Sequence, residues 1–179
     1  MTARIYLFGF LLFIHTLPVQ AQDMDVSLLQ TRAELSDYQE TTPYNEVMGF
    51  LEAAILASDQ LYLTSFGYTV EGRPLPLLVY GDVWNASADE VTQTGKTRVF
   101  IQANIHAGEV CGKEALLMLV RKLASGEYAQ WADSLVLLIA PIYNADGNER
   151  ISLYNRPRQH GPVGGMGQRP NAQGYDLNR

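Results

Sequence analysis

One cysteine in 179 residues rules out an internal disulfide, so stability has to come from a packed core. That residue, Cys111, reads as a small residue at a helix start. Positive charge is also short: 13 Lys and Arg against 19 Asp and Glu give a net charge of −6. A nucleic-acid binder usually shows a basic patch, and none is expected here. Histidine is scarce, with only His106 and His160 beyond residues 1–21. No internal repeat is visible.

What remains is ordinary for a globular chain. The composition is 47% hydrophobic and 18% charged, and the length suits one domain. Residues 1–21 stand apart from it. Arg4 supplies a positive start, Ile5 to Ile14 is apolar except for Gly9, and Val19-Gln20-Ala21 offers a cleavage point after Pro18. This is the pattern of a signal peptide, too short for a stable transmembrane helix. No cysteine lies near the junction, so neither a lipid nor a stable membrane anchor is expected. The destination is secreted or periplasmic.

The chain is organised around residues 99–115, VFIQANIHAGEVCGKEA. Val99, Phe100, Ile101 and Ile105 suit a buried strand, and Leu116, Leu117, Val120 and Leu123 then fall at helical spacing. His106 and Glu109 stand where the strand ends and the helix begins. Side chains there face the crevice in which open α/β sheets bind ligands. Together they can offer a nitrogen and a carboxylate to one zinc ion, one protein ligand short of a catalytic site. HxxE alone is a weak signal, and its bland alternative is an ordinary hydrogen-bonded histidine.

In chain order, residues 22–41 form a polar lead-in without strong period. Thr42 is expected to cap a helix with Pro43 in its first position, and Tyr44, Val47, Met48, Leu51 and Ile55 mark its apolar face. Leu61–Tyr68 and Leu75–Tyr80 read as a hairpin, and 81–96 as a surface loop. A helix over about 112–124 ends at Gly126. Ser134 to Ile142 is nearly all apolar, as in an interior strand covered on both faces. Tyr143 to Gly147 turns at the same end as His106. From Asn155 onward Gly, Pro, Asn and Arg dominate, which suits either a disordered tail or a long functional loop.

The order HAGE, an apolar strand ending in NADG, then GQRPNAQGYDLNR resembles the zinc carboxypeptidase family. Gly67 to Arg73 is similar to that family's G-x-S-x-E-G-R segment, with Thr69 in place of Ser. The resemblance covers residues 42–179 as the N-terminal part of a zinc carboxypeptidase domain. It implies an α/β fold, a three-layer sandwich with a mixed, mostly parallel sheet, incomplete at the C-terminus. It also implies a Zn2+ cofactor held by His106 and Glu109. Arg169, ten residues before Arg179, is implied as the catalytic cation that stabilises the oxyanion, with Arg156 and Arg158 as second choices. Asn178 and Arg179 are implied to bind the free C-terminal carboxylate of a peptide substrate. Asn144, Asp146 and Gly147 are expected to shape a turn.

Two departures qualify the expected activity. Gly108 stands where the family's commonest form has an arginine, so one substrate contact is missing. The family's third zinc ligand and its glutamate base lie beyond Arg179, so these residues alone are expected to be inactive. The expected parent is a metallocarboxypeptidase. A zinc amidase or deacylase acting on cell-wall peptides, and a non-catalytic module that binds peptide termini, stay open beside it.

Overall fold

A computed structural model describes residues 25–178. The proposed signal peptide and Arg179 lie outside them. The fold is α/β, with a mixed sheet of four strands in the order β1-β2-β4-β3. β1 (Leu61–Tyr68) and β2 (Pro74–Tyr80) form the expected hairpin, in which Thr69 and Arg73 close the turn by backbone bonding. β2 runs antiparallel to β4 (Leu135–Ala140), and β4 runs parallel to β3 (Thr97–Gln102). Parallel pairing brings the C-terminal ends of β3 and β4 side by side, so the chain after each enters one crevice.

One sheet face is covered by α2 (Tyr44–Leu56) and α4 (Val110–Ala124). Val47, Leu51, Leu117, Val120 and Leu123 are fully buried there against Leu78, Tyr80 and Ile139. Helical periodicity thus places α4 as expected. Gly126, at φ +78°, follows the helix in the left-handed region that a C-terminal glycine supplies. On α2 the buried stripe is Val47, Phe50, Leu51 and Ala54, so Met48 and Ile55 stand at its margin.

Two expectations need correction. Residues 81–96 are not wholly a loop: Ala88–Gln93 form α3, capped by Ser87, whose hydroxyl accepts from Glu90 N. Val91 of this helix and Val83 pack on Val79 and Val136, covering the second sheet face. Thr42 does not cap α2, because its hydroxyl is taken by Glu114 Oε2 at 2.6 Å, and Pro43 occupies the cap position instead. The first free N–H of α2, on Tyr44, is met by Glu149 Oε1 at 2.8 Å.

The lead-in is more ordered than its composition suggests. It holds a 3-10 turn at Val26–Leu28 and α1 (Arg32–Leu35), whose Thr31 and Glu34 make a capping box. Glu34 also receives both guanidinium nitrogens of Arg121 on α4, each at 2.8 Å. Residues 150–178 are mostly without regular structure but are not loose. Ser152 and Met166 pair through their backbones, Met166 is buried, and Gln168 N donates to the Gly147 carbonyl at 3.0 Å. The Gly/Pro/Arg-rich segment therefore folds over the crevice at the ends of β3 and β4.

Candidate metal centre

After β3 the chain reverses through Asn104, which sits at φ +59°, a conformation asparagine tolerates better than most residues. Its amide donates to the carbonyls of Ala107 (3.2 Å) and Glu109 (3.4 Å), closing the turn 104–109. Ala107 N in turn donates to Gln168 O at 3.2 Å, fastening the turn to the later segment. Glu109 precedes the first turn of α4, so the carboxylate is carried by a helix packed into the core.

This local geometry turns the two candidate donors toward each other. His106 Nδ1 lies 3.1 Å from Glu109 Oε1. Two ligands of a tetrahedral zinc, each about 2.0–2.1 Å from the metal, stand roughly 3.3 Å apart. The spacing therefore fits a shared ion. The other ring nitrogen, Nε2, is 2.8 Å from Asp176 Oδ1. With Nε2 engaged by Asp176, Nδ1 is the ring nitrogen turned toward Glu109. His106 is only 4% exposed, so ring and partner are held together.

The surrounding charges are paired. Arg156 Nη2 reaches Glu109 Oε1 at 3.0 Å, and Arg169 places Nε and Nη2 on Asp176 Oδ2, both at 2.9 Å. Burial pushes the Glu109 carboxyl up, but Arg156 and His106 outweigh it and hold it below its ordinary value. Hydrogen bonds from His106 and Asn178 N, with Arg169 beside them, hold Asp176 far below the usual carboxylate range.

His106, Glu109 and Arg169 are thus gathered in one network. Asn178 joins it through its backbone, donating to Asp176 Oδ1 at 3.0 Å, while its residue is exposed. Arg179 lies outside the described residues. Among the described residues no three His, Cys, Asp or Glu are grouped to hold a metal, and His160 is exposed. Asn144 and Asp146 do shape the β4 exit: Asn144 Oδ1 accepts from Gly147 N at 3.0 Å, and Asp146 pairs with Arg73 at 2.6 Å. Asp176 and the reach of Arg156 to Glu109 were missed from sequence. The rule that a metal-binding histidine has a carboxylate behind it was the signal available for Asp176.

Residues 49–179 match the zinc carboxypeptidase family over most of the chain. The chain belongs to that family. It is 33% identical over 123 residues to carboxypeptidase E of Caenorhabditis elegans, covering 65% of this chain and 24% of that protein. Human carboxypeptidase D is 31% identical over 138 residues, covering 65% of this chain and 10% of that protein. Among solved structures, a metallo-carboxypeptidase from Burkholderia cenocepacia gives a TM-score of 0.54 at 28% identity, covering 76% of this chain and 32% of that one. The chain therefore spans a quarter or less of these curated relatives' lengths.

Proposed function

We propose that this chain carries the metal-binding part of a zinc metallocarboxypeptidase, which hydrolyses the C-terminal peptide bond of peptides. The observation that supports this most is the 3.1 Å approach of His106 Nδ1 to Glu109 Oε1, with Asp176 behind the ring. Zinc, when bound, supplies polarisation of the scissile carbonyl and acidification of a water. His106 and Glu109 would hold it through Nδ1 and Oε1. Asp176 keeps the imidazole in the tautomer and orientation that leave Nδ1 available.

Arg169 is assigned to the developing oxyanion, where a fixed cation stabilises charge formed in the transition state. Its guanidinium is already oriented by Asp176. Asn178 and Arg179 are assigned to the substrate's terminal carboxylate, which a planar guanidinium meets with two parallel hydrogen bonds. A catalytic zinc needs a third protein donor, and the reaction needs a base; neither is assigned to the described residues. The signal-peptide pattern of residues 1–21 supports a secreted or periplasmic setting. No helix among the described residues is long and apolar enough to cross a membrane.

The test is zinc titration of the chain against a chromophoric chelator, beside His106→Ala and Glu109→Ala. Each substitution should weaken binding at least tenfold, and unchanged binding in both variants would overturn the metal assignment. Release of the last residue from N-blocked dipeptides by a zinc-loaded full-length enzyme that contains this chain supports carboxypeptidase chemistry. Cleavage confined to cell-wall peptide amides would move the assignment to an amidase.

A further inference from the structure

The side chain of Arg156 lies across the bare backbone of Gly108. A Cβ at Gly108 would stand 2.9 Å from both Cγ and Nε of Arg156 and 3.0 Å from the Gly167 carbonyl oxygen. From this position Nη2 reaches Glu109 Oε1 at 3.0 Å, the same oxygen that faces His106 Nδ1. The loop is pinned there, because Gln159 Nε2 donates to Gly108 O at 3.0 Å and Gln159 N to Arg156 O at 2.9 Å. The absent side chain at 108 and the guanidinium laid over it form one device.

An exposed Arg–Glu pair usually contributes little to stability. Here the pair uses the carboxylate oxygen that a metal would also use. A guanidinium stays charged at all working pH values, so it leaves Glu109 only by moving. It also repels an incoming dication while it stays. We propose that Arg156 is a displaceable counter-ion of Glu109, which competes with the metal for Oε1 and makes metal binding weaker and more reversible. This rests on His106 and Glu109 being the metal donors.

Removing the competitor should tighten the site. Arg156→Ala should bind zinc roughly three- to tenfold more tightly than the unaltered chain, the range of a partly exposed charge pair plus the lost repulsion. Gly108→Ala should change affinity in the same direction, since its Cβ pushes Arg156 off Glu109. Arg158→Ala, which removes the same charge two residues along the loop, should leave affinity within twofold. The gain should be similar at pH 6.5 and 8, because no proton is exchanged at Arg156. The Arg156 Nε–H resonance of the unaltered chain should also shift when zinc is added.

The inference is overturned if Arg156→Ala matches Arg158→Ala, or if it binds zinc more weakly than the unaltered chain. Failure of the metal assignment looks different: His106→Ala would then bind zinc as the unaltered chain does. Absence of zinc binding in the unaltered chain and in Arg156→Ala alike would overturn both.

Discussion

At the residue scale, the orientation of one imidazole decides what the centre can do. His106 has two ring nitrogens, and Asp176 engages Nε2 at 2.8 Å. Asp176→Asn keeps the size but presents an amide able to donate as well as accept, so the Nδ1 lone pair is no longer guaranteed. Loss of such an outer partner typically costs about 10–100-fold in metal affinity. Chelator competition on the Asp176→Asn protein should fall in that range, and affinity within threefold of the unaltered chain would remove Asp176 from the role. The approach of His106 to Glu109 was legible because three residues of spacing at a strand–helix junction is a local pattern. Asp176 was not, because its contact spans 70 residues and exists only once the Gly/Pro-rich segment is folded back.

At the element scale, the centre depends on how α4 is held, and two of its own residues do much of this. Glu114 accepts from Thr41 Oγ1 (2.8 Å), Thr42 N (2.8 Å) and Thr42 Oγ1 (2.6 Å). Lys113 is completely buried; its ammonium meets the Thr42 carbonyl and Asn148 Oδ1, with Glu114 3.8 Å away. The pair ties the end of the lead-in and α5 (Ala145–Glu149) to the helix that begins at Glu109. Thr42→Val leaves one buried carboxylate oxygen without its donor, which should cost about 1–3 kcal/mol. A urea midpoint unchanged by that substitution would show the bond to be idle.

Burial lowers the Lys113 pKa from 10.5 to about 8, despite the nearby Glu114 and Glu149. Below about pH 8 the amine is protonated in both folded and unfolded chains, and the folded state bears the cost of the buried charge. Between about pH 8 and 10.5 the unfolded chain holds more protons than the folded one, so stability should rise with pH by up to about 3 kcal/mol. Urea unfolding across that window checks this, and Lys113→Met should flatten the rise. Helix positions were largely legible here, because Leu116, Leu117, Val120 and Leu123 repeat at helical spacing. The Thr41-Thr42-Pro43 stretch was misread as a cap because Glu114 lies 72 residues from Thr42 and out-competes the local bond. α3 was overlooked because six residues leave almost no period to detect, although its Ser87 and Glu90 are a start signal.

At the scale of the whole molecule, an α/β sheet with an interior strand was legible from one feature, the apolar run that became β4, whereas its mixed character came from the family resemblance. A strand covered on both faces must sit inside a sheet, and β4 lies between β2 and β3. Strand order was not legible, since it depends on which edge each crossover chooses. That order leaves β3 at an edge of the described sheet, paired only with β4. Its residues are apolar where an edge is normally protected: Phe100 is 53% exposed, and Val99 and Ile101 are only partly covered. Arg98 and Gln102 are the polar residues that interrupt this surface. Unpaired N–H and C=O groups beside exposed apolar side chains favour strand-to-strand association. The chain should therefore self-associate with rising concentration, read by size-exclusion chromatography with light scattering. Phe100→Lys places a charge on that edge and should raise the monomer fraction, while leaving zinc affinity unchanged because β3 reaches the centre through its end and not through Phe100. A chain that stays monomeric at high concentration would show that the exposed β3 edge does not drive pairing.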